Sequence, residues 1–383
     1  MQTYVVCIDG TWNHPGQTDK DPIDPSKEAA TTTNVLQLYE FLTGVDTPEY
    51  GTIAPLKISD KDDPDYENGE AIYLNGVGSS GTVANKLFEG STGTGTSERI
   101  RDAYRFLCAR HQAGDHIFIF GFSRGAFAAR SLAGFLQFVG LPKLPRIIKE
   151  EELDDAFTSY RNRGDATQGK SFGRDVTVEF VGVWDTVGAL AFGESFNNFH
   201  LISPTNVTTV VHALALDEQR KAFAPEPWNS TNPSPTATKE EVWFAGVHTN
   251  VGGGYIEYGL SDITLWWMIS KAVGAGLPHE PAYANVWKKA NIEGEIRDSY
   301  KEFLDTLGFA GKLSEFFHLG KINRVILDGQ EVHDSVFTRI DRLAAETPPS
   351  LYVPTALLVH GRPFPIKQTD WRADSVATSP NTL

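Results

Sequence analysis

The sequence predicts an α/β fold: a mainly parallel central sheet flanked by helices, with loop-rich insertions. Three observations lead there. Short apolar runs alternate with helix-period segments along most of the chain, the pattern of strands joined by helical crossovers. One run, Ile117 to Phe120, leads straight into Gly121-Phe-Ser-Arg-Gly125, a strand entering a tight turn before a helix. Other runs close on Asp9, Asp185 and His248, so polar groups gather at the carboxyl ends of strands, where open parallel sheets place their sites.

Each element has a local reason. Tyr4 to Ile8 is a buried strand closed by the turn Asp9-Gly-Thr11. Residues 13–33 are polar and read as a loop, and Thr33-Asn34 caps a helix through Leu36, Tyr39 and Leu42. Residues 46–70, acidic and Pro-rich, form a surface excursion ahead of a strand at Ala71 to Leu74. Ser97-Glu98 opens a helix on which Ile100, Ala103, Tyr104, Leu107, Cys108 and His111 share one face. Gly114-Asp115 stops it, and the helix after Ser123 runs from Ala126 to Val139, ended by Gly140-Leu-Pro. Val176 to Val183 is a strand closed by Trp184-Asp-Thr186. Val207 to Ala222 reads as a helix, Pro225 to Thr238 as a linker, Val242 to Val247 as a strand and Leu260 to Val273 as a helix. Beyond Pro278, Val325 to Leu327 and Leu357 to Val359 are expected to be strands. There is no internal repeat, so residues 1–383 are expected to form one domain, with cap segments at about 144–173 and 189–240.

Composition narrows the function. With 40% hydrophobic and 11% aromatic residues the chain has the material for a core. A formal charge of −15 argues against nucleic acid and anionic lipid surfaces as electrostatic partners. The start carries no basic signal-peptide region and no run is long enough to span a membrane, so a cytoplasmic location is expected. Cys7 and Cys108 read as buried free thiols. Oligomeric state is not encoded in any pattern here.

The chemistry lies in Ser123, Asp185 and His248. A serine hydroxyl needs an imidazole to take its proton, and the imidazole needs a carboxylate to fix its tautomer. The chain order Ser, Asp, His is that of α/β-hydrolases, and G-x-S-x-G is their nucleophile turn. Arg124 N–H, directly after the serine, and the Gly10-Thr11 turn are the candidate oxyanion donors. Asp217 and Asp262 compete for the acid, and His333 for the base. Val251-Gly-Gly-Gly254, after His248, signals close backbone approach. An aromatic cap, Phe192 to Phe199 with Phe223 and Trp228, is the expected acyl pocket.

Two other motifs weigh little. Gly76-Val-Gly-Ser-Ser-Gly81 has dinucleotide-binding spacing, but it does not follow the first strand and no full helix comes after it. Ile8-Asp-Gly-Thr11 is close to a phosphatase signature whose aspartyl nucleophile would fall on Cys7. No His, Cys and carboxylate spacing suggests a metal site, and no cofactor is expected.

Taken together, Cys7-Ile-Asp-Gly-Thr-Trp-Asn13, Gly121-Phe-Ser-Arg-Gly-Ala126, Val183-Trp-Asp-Thr-Val-Gly188, Ala215-Leu-Asp-Glu-Gln-Arg220 and Trp243 to Tyr255 resemble the family called domain of unknown function 2235. Val332-His-Asp-Ser-Val336 also fits. The resemblance implies an α/β-hydrolase domain with a serine-hydrolase site on Ser123, Asp185 and His248, and some relatives are type VI secretion phospholipase effectors. The family usually has Asp where this chain has Asn250. The expectation is therefore a serine hydrolase of carboxylic esters, lipid or acyl, acting through an acyl-enzyme. A catalytically silent binding protein on the same fold is the alternative, ahead of a phosphatase.

Overall fold

A computed structural model describes residues 1–11, 13–21, 24, 26–57, 69–76, 94–162, 173–188, 205–228, 238–279, 290–307, 320–346, 348–358 and 366–367. Its centre is a nine-stranded sheet in the order β13-β12-β11-β10-β9-β6-β1-β5-β4. These are β13 Ile366–Lys367, β12 Glu331–His333, β11 Thr238–Phe244, β10 Val207–Ala215, β9 Val178–Trp184, β6 His116–Phe122, β1 Thr3–Ile8, β5 Gly69–Leu74 and β4 Thr52–Pro55. All neighbours pair in parallel except β4 with β5.

Alternation along the strands sorts the core into two layers. Val6, Ile8, Ile117 and Ile119 face α2 (Thr94–Arg110) and α3 (Arg124–Val139), where Leu107, Leu132 and Leu136 join them. Val5, Cys7, Phe118 and Phe120 face α1 (Asn34–Thr43) and α6 (Gly259–Gly274), against Leu38, Leu42, Leu265 and Ile269. Both sheet faces are therefore covered, which is why the central strands read as unbroken apolar runs. Cys7 and Cys108 are buried free thiols, as expected.

From β1 the chain goes first to β4 and β5 on one side and later to β6 on the other. The crevice beyond the ends of β1 and β6 is thus a topological switch point, the usual ligand position in an open α/β sheet. It brings the Asp9-Gly10-Thr11 turn beside Ser123.

Several expectations are corrected. Val207 to Ala215 is a central strand, not the start of a helix. Its Val-Thr-Thr-Val-Val opening is β-branched, and the segment is paired on both sides, by β9 and β11. That strand also lies inside the range 189–240 expected as a cap; residues 189–204 and 229–237 of that range are outside the described residues. In the other expected cap, α4 (Glu150–Arg161) packs on α3 instead, with Tyr160 donating to Ser131 O at 2.9 Å. Residues 13–33 include a small antiparallel hairpin, β2 Thr18–Lys20 with β3 Glu28–Ala30, and residues 46–70 supply the edge strand β4. Val325 to Leu327 forms no strand; β12 comes later, and Thr355–Leu358 is a short helix. A second two-stranded ribbon joins β7 Leu141–Pro142 to β8 Gly173–Arg174.

Candidate active site

Ser123 stands between β6 and α3 with φ 58° and ψ −122°. A left-handed φ at a non-glycine residue is strained, and here it pushes the side chain out of the strand-to-helix turn. The flanking glycines make the turn possible. A Cβ on Gly121 would lie 2.4 Å from Gly125 O, and one on Gly125 would lie 2.2 Å from Ile8 O. Gly125→Ala must therefore displace β1 or α3. We expect it to destabilise the fold by about 1–3 kcal/mol, the usual cost of overpacking, read from the urea midpoint. A wild-type midpoint would contradict this close packing.

Asp185 follows β9, also at positive φ (36°), with no exposed surface. Its amide donates to Ala213 O at 2.7 Å, and its Oδ1 accepts from Ala215 N at 3.0 Å, so the end of β10 holds it at both backbone and side chain. Oδ2 accepts from His248 Nδ1 at 2.6 Å. Burial by itself would raise the Asp185 pKa, but Arg324 and His248 outweigh it and hold the carboxyl well below its usual range.

His248 opens the short helix α5 (His248–Gly252) after β11. Its ring lies between Phe122, at 4.6 Å, and Phe223, at 4.9 Å and nearly perpendicular. The helix is tied down from behind: Asn34 Nδ2 and Thr264 Oγ1 both donate to Val251 O, at 2.9 and 2.6 Å. Burial lowers the His248 pKa against the opposing pull of Asp185, favouring the neutral imidazole. The Val251–Gly254 glycines serve packing: the Phe122 ring occupies the space a Gly252 side chain would need.

Ser123 and His248 line one cavity of about 160 Å³ with Thr11, Arg124, Arg220 and Phe223. Among the described residues no hydrogen bond joins Ser123 Oγ to His248. Thr11 Oγ1 is buried at the cavity wall with no partner among the described residues. Gly10 differs from expectation. Its N–H donates to its own neighbour, Asp9 Oδ1, at 2.6 Å, which removes it as an oxyanion donor. Asp9 in turn accepts from Thr33 Oγ1 and Tyr73 OH, both at 2.7 Å, so it braces this turn.

The rival residues lie elsewhere. Asp217 Oδ2 accepts from Gly246 N and Tyr352 OH, at 2.7 and 2.6 Å, and lines a different, larger cavity of about 370 Å³. Burial pushes its pKa up to about 6. Asp262 sits in the first turn of α6, its amide bonded to Tyr258 O. His333 caps α7 (Asp334–Ala344), bonded to Ser335 and stacked on Phe244. The His248 Nδ1 is instead engaged by Asp185. Asn250 is engaged by backbone groups: it accepts from Val247 N at 3.2 Å and donates to Glu295 O at 3.0 Å. The second bond requires an amide, so Asn suits this loop where Asp would not. Of the expected aromatic cap, Phe223 faces the cavity, Trp228 is buried beneath the Arg130 guanidinium, and Phe192 to Phe199 lie outside the described residues.

Sequence reasoning missed three charged residues. Glu218, next to the Asp217 that was singled out, accepts from His248 N at 3.2 Å. Arg220 clamps Glu218 through Nε and Nη2, both at 2.9 Å, and lies 3.6 Å above the Phe223 ring on the cavity wall. Arg324 forks onto Asp185. The Ala-Leu-Asp-Glu-Gln-Arg motif signalled the first two; Arg324 has no local signal. Among the described residues no group of three His, Cys, Asp or Glu side chains converges as a metal site.

An α/β domain with a mostly parallel sheet, carrying a serine turn, a buried His–Asp pair and a shared cavity at its switch point, is the class defined by this geometry. The chain belongs to the family described as type VI secretion system phospholipase effector Tle1-like catalytic domain, whose family model matches residues 2–271. It is 27% identical to the uncharacterized protein YEL023C of Saccharomyces cerevisiae over 249 residues, 58% of this chain and 32% of that protein. Among solved structures it is similar to an uncharacterized protein from Pseudomonas aeruginosa, with 19% identity and TM-score 0.42, over 73% of this chain and 46% of the other. It is also similar to the Tle1 effector bound to the VgrG spike of the type VI secretion system, with 21% identity and TM-score 0.36, over 67% and 52%. The chain thus spans about a third to a half of the length of these relatives. No described helix is long and apolar enough to cross a membrane.

Proposed function

We propose that this chain is a serine hydrolase of carboxylic esters, with lipid or acyl esters as its substrate class. The observation that carries the reading is the 2.6 Å His248–Asp185 contact facing the cavity that Ser123 enters from a strained turn. Ser123 Oγ attacks the ester carbonyl while His248 Nε2 takes its proton. The Arg124 amide, at the first turn of α3, and the Thr11 side of the β1 turn hold the oxyanion. Collapse expels the alcohol, which leaves with the proton from His248, and water repeats the sequence on the acyl-enzyme. Membership of a phospholipase effector family supports an ester substrate. A silent binding protein draws no support from Asn250, which is engaged by backbone groups.

The test is a panel of aryl esters of graded acyl length beside an aryl phosphate, with and without chelator. Ester turnover that is chelator-insensitive is expected, with none on the phosphate; the reverse pattern would sink the proposal. The neutral imidazole is the active form and its pKa is lowered, so kcat/KM should rise with pH along an acid limb below the ordinary histidine value of 6.5. A limb above 6.5 would mean that the pull of Asp185 outweighs burial at His248.

A further inference from the structure

Asp185 is gripped by a side chain from far along the sequence. Arg324 is only 2% exposed. Its Nη1 donates to Asp185 Oδ1 at 3.2 Å and its Nη2 to Asp185 Oδ2 at 3.0 Å. The same Nη2 donates to Phe223 O at 2.8 Å, and Nε donates to Glu218 O at 3.3 Å. One guanidinium therefore joins the carboxylate behind the imidazole to the loop 218–223, which carries Arg220 and Phe223 into the cavity. That loop is braced again where Glu218 accepts from Ser299 Oγ at 3.1 Å. The family match ends at residue 271, well before this arginine.

We infer that Arg324 is a positioning residue that fixes both the Asp185–His248 pair and the cavity wall, so the Ser123 site is completed only by the chain beyond the family's catalytic segment. The inference rests on the serine-hydrolase reading above. Its physical basis is twofold. A fully buried carboxylate without a cation would gain proton affinity, and a protonated acid no longer stabilises an imidazolium. A planar fork also satisfies four acceptors at fixed angles, which a lysine ammonium cannot reproduce.

The groups around the pair set the sign of the pH effect. Arg324 faces Asp185 from one side, and Glu218 with its Arg220 partner faces His248. His212 lies behind Asp185, accepting from Thr186 N at 3.1 Å with its other nitrogen on Glu241. Arg124 stands across the cavity. Removing the Arg324 charge alone raises the proton affinity of Asp185, and protonating that carboxylate disables the pair, so the acid limb moves to higher pH. Arg324→Lys keeps the charge and loses the fork, so the limb should stay while the wall loosens.

The experiment measures kcat and KM against pH for the full chain, R324M, R324K and S123A on one aryl ester, with thermal melts of each. For R324M, kcat/KM at neutral pH should fall by about 100-fold, with the acid limb up by about one unit. For R324K the limb should stay in place and KM should rise about fivefold. A wild-type limb and near-wild-type kcat/KM in R324M would overturn the inference, as would equal losses in both variants with no limb shift. If R324M does not fold, R324K decides: a moved limb or an unchanged KM overturns it. Turnover surviving in S123A would instead refute the serine mechanism, an outcome independent of how the Arg324 variants behave.

Discussion

Ser123→Ala is expected to lower ester turnover by about 10⁴- to 10⁶-fold, the range seen when a nucleophilic serine is removed, and to abolish labelling by a fluorophosphonate probe. Stability should barely change. Ala shares the positive-φ strain that Ser already carries, and the turn's backbone bond, Ser123 N to Trp184 O at 3.0 Å, is kept. Ser123 Oγ holds no bond to His248 that the change would break. A small loss of rate with a normal melt, or labelling that persists, would mean the nucleophile lies elsewhere.

Asp185→Asn should cost about 10⁴-fold in kcat, because an amide favours the wrong imidazole tautomer and cannot stabilise the imidazolium. It should also cost stability, about 3–5 kcal/mol, since it leaves the Arg324 guanidinium buried without its counter-ion. Asp217→Asn is the control. Asp217 binds Gly246 N and Tyr352 OH, away from the Asp185–His248 hydrogen bond, so its loss should leave kcat within about threefold. Rates must be compared at equal folded fraction, fixed by urea titration. If Asp217→Asn alone abolishes turnover, the acid has been misassigned.

Much of the scaffold was legible in the chain. Ile117 to Phe120 announced β6, and the spacing of Gly121 and Gly125 announced the turn at Ser123, because close packing there excludes any side chain. Thr33 was readable as a helix cap, and its Oγ1 does accept from Leu36 N at 3.1 Å. Val207 to Ala215 reads as a helix in the sequence and is a strand in the structure. Two flanking parallel strands claim that segment's backbone groups, and they lie outside any local window.

The placing of Ser123, Asp185 and His248 at strand ends, in hydrolase order, was determined by the sequence alone, since each follows from a local apolar run and its terminating residue. Which carboxylate meets the imidazole was decided only by the tertiary structure. So was the withdrawal of the Gly10 amide by Asp9, and the arrival of Arg324 behind Asp185. Local structure is written in periodicity and turn chemistry, which neighbours along the chain reveal. A buried ion pair between residues 139 positions apart leaves no such trace, because desolvation and long-range packing select its partners.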